Sequence, residues 1–243
     1  MPSTAIFSTD FTVRTYEMGA NGCLTLPFLA GYMQEAAAHH AAALGASMEQ
    51  LHAKGVAWVL YRMKTEIFRY PALGENVNIQ TWPSGWEKFY FYRDYRASDQ
   101  SGKLLAQATS TWLMFDMQTR RLSLRPELAR DIRPPEGVTH LPRAESKFAT
   151  EGDFPLEMVF NVRRHDLDIN GHATNLRYFQ WIADALPEES GKNIGEIDII
   201  FKAEARYEDQ LRCQTRPDGE SFFLHKIENQ EGKLLVQARS GRM

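Results

Sequence analysis

The sequence is short of cysteine, of long apolar runs and of excess charge, and each shortage narrows what it can be. Two cysteines, Cys23 and Cys213, lie far apart and form no Cys-x-x-Cys pair. That argues against a disulfide framework and fits a reducing cytoplasm. No apolar run approaches the ~18 residues of a membrane span. The first residues, MPSTAIFSTDFTVRTYE, have neither a basic nor an apolar leader region, so no secretory signal is expected. A net charge of -3 argues against a dedicated nucleic-acid binder, which is usually basic. There is no P-loop, no Gly-x-Gly-x-x-Gly after a strand and no Gly-x-Ser-x-Gly elbow. What is left is an ordinary globular balance, 43% hydrophobic and 24% charged, over 243 residues. That length allows one large domain or two small ones.

The chain repeats itself, which decides between those two. Residues 16–36, YEMGANGCLTLPFLAGYMQEA, parallel residues 165–185, HDLDINGHATNLRYFQWIADA. Asn21-Gly22 falls on Asn170-Gly171 and Glu35-Ala36 on Asp184-Ala185, both 149 positions apart (170 − 21 and 184 − 35). Further on, Arg69-Tyr70 is read against Arg206-Tyr207, and Gln80-Thr81-Trp82-Pro83 against Gln214-Thr215-Arg216-Pro217. Gly102-Lys103-Leu104-Leu105 then matches Gly232-Lys233-Leu234-Leu235, now 130 positions apart (232 − 102). Three matches in one order indicate two copies of one unit, the second with shorter loops.

Each copy reads as an opening segment ending in Asn-Gly, a helix, then strands. The first helix is expected from near Pro27, a favoured early-helix residue, to Gly45. Its alanines between Glu35 and Leu44 favour helix and allow close packing against a sheet. The second is expected to begin at Thr174 or Asn175, both good N-caps. Tyr178, Trp181, Ile182 and Ala185 give it one apolar face, and Pro187 ends it. Strands are expected over 58–68, 76–81, 89–97 and 104–115, and again over 197–206, 211–215, 221–228 and 233–240. This pattern is α+β. The domains expected are 1–116, a Pro- and Arg-rich connector over 117–157 with a helical turn near 126–130, and 158–243.

The chemistry concentrates in Arg164-His165-Asp166-Leu167-Asp168-Ile169-Asn170-Gly171-His172-Ala173-Thr174-Asn175. Asp168, Asn170 and His172 are spaced by two, which in an extended segment puts all three on one face. A carboxylate beside an imidazole can set its tautomer, and an Asn can position water. Helix-start N–H groups near Thr174 and Asn175 can stabilise a developing oxyanion. Taken alone, Asp, Asn and Gly before a helix are ordinary turn and cap residues. The other copy tips the reading, because it carries Gly19, Asn21 and Cys23 at those positions. One half reads as structural and the other as working. Glu204 is a fourth candidate; its plain alternative is a strand glutamate paired with Lys202 or Arg206. His39, His40 and His52 suggest no shared metal, since adjacent helical residues point about 100° apart. The aromatic group from Trp82 to Tyr92 reads as sheet and core packing, with some members available to wall a pocket.

The stretch DLDINGHATNLRYFQW from Asp166 to Trp181 resembles the signature of acyl-ACP thioesterases, in which Asp-x-Asn-x-His precedes an Asn-x-x-Tyr helix ending near Trp. The resemblance covers nearly the whole chain. It implies two tandem hotdog domains, each a curved antiparallel sheet around a central helix. It implies hydrolysis of fatty acyl-ACP thioesters in fatty acid biosynthesis, with catalytic roles for Asp168, Asn170, His172 and Glu204. Plant members typically carry Cys directly after that glutamate. Here the position is Ala205, so no cysteine nucleophile is available there. Either Asp168 or Glu204 would activate water or attack the carbonyl itself. No cofactor or metal is implied.

The implied partner is acyl carrier protein with its phosphopantetheine-linked acyl chain. Arg120, Arg121, Arg125, Arg163 and Arg164 are candidates for its docking, against the alternative of solvated connector charges. No nucleic acid and no membrane span are expected, and a doubled chain fits a monomer or weak homodimer. Three alternatives stay open: an acyl-CoA thioesterase, a hotdog hydroxyacyl-thioester dehydratase, and a non-catalytic acyl-ACP binder.

Overall fold

Thr25, in extended conformation, starts helix α1 (Leu26–Ala43), with Pro27 in the first turn where its missing N–H costs nothing. Leu29, Ala30, Met33, Ala36 and Ala37 are buried along it. Its end is a Schellman turn. Ala46 N–H donates to the Ala41 carbonyl (2.8 Å) and Gly45 N–H to that of Ala42 (3.1 Å), with Gly45 at φ +74°. The second long helix, α3 (Asn175–Asp184), buries Tyr178, Phe179, Trp181 and Ile182. The two helices pack so closely that a Cβ on Gly31 would meet Leu176 Cδ1 at 3.2 Å.

The structure is a computed structural model and describes residues 6–123, 125, 128, 132–187 and 194–243. The strands are β1 (Phe7–Thr12), β2 (Val56–Ile67), β3 (Asn76–Glu87), β4 (Tyr90–Ser98), β5 (Leu104–Asp116), β6 (Arg121–Leu122), β7 (Leu156–Asn161), β8 (Ile194–Phe201), β9 (Gln210–Asp218), β10 (Phe222–Asn229) and β11 (Leu234–Arg242). A short helix, α2 (Met48–His52), precedes β2. The strands form one antiparallel sheet ordered β1-β3-β4-β5-β2-β8-β11-β10-β9-β7, with β6 on β5. Read from either edge to the middle, the order is the same: first, third, fourth, fifth, second strand of each half. This α+β arrangement is of the hotdog type, a helix wrapped by a sheet. Its core runs through both halves, from Leu29 and Ile79 to Ile199 and Leu235.

The halves join where β2 pairs with β8, Arg62 opposite Ile200 and Thr65 opposite Ile197. At this seam Arg62 Nε and Nη2 donate to Asp198 Oδ1 and Oδ2 at 2.8 and 2.6 Å, both residues buried.

Several elements differ from the sequence expectation. The edge strands β1 and β7 and the helix α2 were not foreseen, and β6 and the start of β7 fall inside the expected connector. β3 runs on past Pro83, which a register shift between Pro83 and Gly85 accommodates. β8 ends at Phe201, so residues 202–206 leave the sheet. The helical turn expected near 126–130 lies, apart from Leu128, outside the described residues. Among the described residues no helix is long and apolar enough to cross a membrane.

Candidate active site

Two loops make the site, and the first is the repeat motif. Asp166 is buried and accepts Arg163 N–H (2.7 Å) and Arg177 Nε (3.0 Å). Its carbonyl accepts Thr174 N–H (2.9 Å), which fixes the start of α3. Between them residues 168–172 form a tight turn. Asp168 N–H donates to the His172 carbonyl (2.7 Å), Gly171 N–H to the Asp168 carbonyl (3.1 Å), and Gly171 sits at φ +76°. The expected extended segment is absent here; the turn, and not an alternating face, gathers the three side chains.

Within the turn the Asp168 carboxylate is occupied. Its Oδ1 accepts the N–H groups of Asn170 (2.8 Å) and His172 (3.1 Å), and Asn170 Nδ2 approaches Oδ2 at 3.4 Å. Asp168 therefore touches the backbone of His172, and its contacts do not include the imidazole.

The second loop supplies the acid that reaches the ring. After β8, the N–H groups of Lys202 and Ala203 both donate to the Leu235 carbonyl (2.7 and 3.2 Å), which turns the chain out of the sheet. Ala205, fully buried, is gripped on both sides. Its N–H donates to Tyr178 Oη (3.0 Å) and its carbonyl accepts Ala173 N–H (2.9 Å). Burial raises the Tyr178 phenol above its ordinary range, so it stays neutral there. The clamp leaves Glu204 beside His172, with Oε2 3.3 Å from Nε2. The same Oε2 lies 3.4 Å from Nη2 of Arg120, at the far end of the N-terminal half. Among the described residues Oε1 has no protein partner. The imidazole is 18% exposed and the glutamate 43%, so the pair opens to solvent.

All four sequence candidates thus belong to one linked set, below the α3 N-terminus. Thr174 is the N-cap, though its side chain makes no capping bond. Asn175 is the first helical residue, and its Nδ2 contacts Gln34 Oε1 (3.3 Å) on α1.

The N-terminal half repeats the backbone bonds of this turn with different side chains, but not the Tyr178 bond, since the counterpart of Ala205 is Pro71, which has no N–H. Gly19 N–H to Cys23 O (2.9 Å), Gly22 N–H to Gly19 O (3.0 Å), Thr25 N–H to Glu17 O (3.0 Å) and Leu24 N–H to Pro71 O (2.8 Å) are the counterparts. Cys23 bridges Ala72 as His172 bridges Arg206. This corrects the expected match of Arg69-Tyr70 to Arg206-Tyr207. The later loops are 134 positions apart (206 − 72), and the counterpart of Glu204 is Tyr70. Asp168, His172 and Glu204 are therefore all replaced in the other half, by Gly19, Cys23 and Tyr70.

The arginines are not equivalent. Arg120 contacts Glu204. Arg125 donates to the Lys54 carbonyl (3.0 Å), and Arg164 lies over the Tyr207 ring (4.5 Å). Arg163 lines a cleft of about 260 Å³ with Phe160, Asp166, Arg177, Trp181 and Asp184, and none of the four candidates is among its lining residues. Arg121 is exposed on β6.

Comparison with known proteins places this architecture. Residues 4–132 match the acyl-ACP thioesterase N-terminal domain and residues 152–241 the acyl-ACP thioesterase C-terminal domain. The chain belongs to the acyl-ACP thioesterase family. It is 33% identical to the chloroplastic palmitoyl-acyl carrier protein thioesterase of Gossypium hirsutum over 97% of this chain and 63% of that one. It is 27% identical to the chloroplastic acyl-[acyl-carrier-protein] hydrolase FATB2 of Cuphea viscosissima over 97% of this chain. The chain spans about 62% of the length of that relative. The fold superposes on an acyl-ACP thioesterase of Bacteroides thetaiotaomicron with a TM-score of 0.89, at 23% identity, over 98% of both chains.

Proposed function

We propose that the chain hydrolyses fatty acyl-ACP thioesters to free fatty acid and ACP, as part of fatty acid biosynthesis. Family membership supports the reaction class. The observation that carries the site is the His172–Glu204 contact, built on a framework that the other half keeps while replacing the reactive side chains. In this reading 1–116 and 158–243 are the two domains, joined by 117–157, and the C-terminal one carries the catalysis.

The thioester carbonyl lies at the start of α3, where first-turn N–H groups favour negative charge on its oxygen. Asn170 orients substrate or water. Of the two acids, Asp168 accepts two backbone N–H groups on Oδ1, whereas Glu204 Oε1 has no protein partner among the described residues. Glu204 therefore takes the proton as water adds to the carbonyl carbon, and Asp168 holds the turn that aims His172. As the C–S bond breaks, the proton Glu204 took from water returns through the Glu204–His172 contact to the departing phosphopantetheine sulfur, which leaves as a thiol and resets the pair. Arg121, Arg163 and Arg164 are exposed cations suited to an acidic carrier protein. The β2–β8 seam already joins two hotdog units within one chain, which supports a monomer or weak homodimer.

The test is release of free thiol from matched acyl-ACP and acyl-CoA substrates of several chain lengths. Faster release from acyl-ACP is expected. Release from acyl-CoA alone removes the carrier protein. Release from neither, with or without dehydration of a 3-hydroxyacyl thioester, removes the hydrolase. A single turnover in ¹⁸O water separates water attack from an acyl-carboxylate; label entering Glu204 or Asp168 would overturn the direct route.

A further inference from the structure

The side chain that meets Glu204 from the other half stands on unusual backbone. Arg120 closes the four-residue turn between Asp116, the last residue of β5, and Arg121, the first of β6. It sits at φ +53°, a conformation glycine adopts freely and other residues adopt at a cost. The turn is firmly built. Asp116 Oδ1 accepts the N–H groups of Gln118 (3.1 Å) and Thr119 (2.8 Å) and the Thr119 hydroxyl (3.0 Å), and Arg120 N–H donates to the Asp116 carbonyl (2.9 Å). Glycine or asparagine would close this hairpin with less strain. An arginine is there instead, and its Nη2 lies 3.4 Å from Glu204 Oε2, across 84 positions of sequence.

We propose that Arg120 is a positioning residue for Glu204. This rests on Glu204 as the base in the hydrolysis proposed above. His172 and Arg120 both engage Oε2, from opposite halves of the chain. Between them they fix the rotation of the carboxylate and leave Oε1 directed at the water to be activated. An ion pair this exposed adds little to stability, so its effect falls on geometry. Arg120, which lies outside the C-terminal repeat, thus completes the site that the repeat carries.

The experiment is steady-state kinetics on the full chain with an acyl-ACP substrate, comparing Arg120→Gly, Arg120→Asn and Arg120→Lys. Glycine and asparagine both suit the backbone, so neither should lower the melting temperature. Removing the guanidinium should lower kcat by about tenfold or more and leave KM within roughly twofold, as expected of a displaced reacting group. Lysine should restore part of kcat. In a Glu204→Gln background, Arg120→Gly should bring no further loss. An unchanged kcat, or a full additional loss in that background, would overturn the proposal. A raised KM with unchanged kcat would also overturn it, making Arg120 a carrier-docking residue. If the unaltered protein releases no thiol from any acyl thioester, the hydrolase reading itself has failed, and Arg120's role goes with it.

Discussion

Arg62 and Asp198 face each other across the junction of the two halves, joined by two parallel hydrogen bonds and both buried. A buried pair of this kind is costly to break, because one partner's removal strands the other's charge. Arg62→Met or Asp198→Leu alone should destabilise the fold by about 3–5 kcal/mol, whereas the double variant should lie close to the parent. Urea denaturation of the three variants checks this. Single variants as stable as the parent would mean that water reaches the seam.

Asp168 offers a way to separate loop-building from chemistry. In the other half the same task falls partly to Asn21, whose Oδ1 accepts Cys23 N–H at 3.1 Å. Asp168→Asn should therefore keep the turn and the melting temperature, while Asp168→Ala should cost about 1 kcal/mol of stability. If the charge at Asp168 supports catalysis, Asp168→Asn should slow thiol release despite an intact fold. Full activity in Asp168→Asn would assign the residue to the scaffold alone.

Replacing either member of the His172–Glu204 pair should be severe. His172→Gln and Glu204→Gln should each reduce the rate by about 10²–10⁴-fold, the usual range for a positioned acid or base. Their combined loss should fall well short of the product, because they act as a unit. Full multiplication of the two losses would separate them mechanistically.

His225 is buried between Thr215 Oγ1 and Ser240 Oγ, at 2.8 Å from each, and burial lowers its pKa to about 3. The unfolded chain binds a proton there below its ordinary pKa, and the folded chain does not. Stability is therefore fully present above about pH 6.5 and falls as the pH drops toward 3, by up to about 1.4 kcal/mol per unit. His40, stacked on Phe7 and 3.1 Å from the buried Arg93, is lowered to about 4 and acts in the same sense. Denaturation at pH 7 and 5 should show the loss, and His225→Gln should flatten the slope.

The two thiols should differ sharply in reactivity. Burial raises Cys213 to about 12, while Cys23 is partly exposed in the silent turn. A thiol reagent should modify Cys23 in the native protein and reach Cys213 only after unfolding. Thiol release from substrate should survive in Cys23→Ser, since that residue lies outside the proposed C-terminal site.

The repeat makes much of this legible in the sequence alone. Paired Asn-Gly turns and paired Gly-Lys-Leu-Leu segments fix two equivalent units, and the alanine-rich helix from Pro27 to Gly45 announces itself by propensity and caps. The contrast of Gly19 and Cys23 with Asp168 and His172 is the sequence signal on which the proposed C-terminal site rests. Other features were harder to read. FSTDFT and LEMVFN are six-residue edge strands, too short and polar to stand out from loop. Glu204 looked like a strand residue because Ile199, Ile200 and Phe201 run directly into it; only the Leu235 carbonyl, taking two N–H groups, shows where the strand stops. The tempting pair Arg69-Tyr70 and Arg206-Tyr207 hid the true register, which backbone bonds reveal. Arg120 looked like a surface cation, and nothing local in sequence says that a hairpin 84 positions away would carry it to the glutamate.

The strand order also carries a consequence for synthesis. β2 is an interior strand of the finished sheet, yet its neighbour β8 is made far later, with Arg62 waiting 138 positions for Ile200 (200 − 62). Until then the emerging first unit exposes the backbone donors and acceptors of β2, and Arg62 has no counter-ion. A growing chain in that state is a template for pairing with its own kind. Arg62 and Lys64 on the waiting edge supply charge that discourages such pairing, and the same two side chains later find Asp198 and Glu196 when the second unit arrives. The charges of this waiting edge thus belong to a join that is complete only when residues 196 and 198 have been added to the chain.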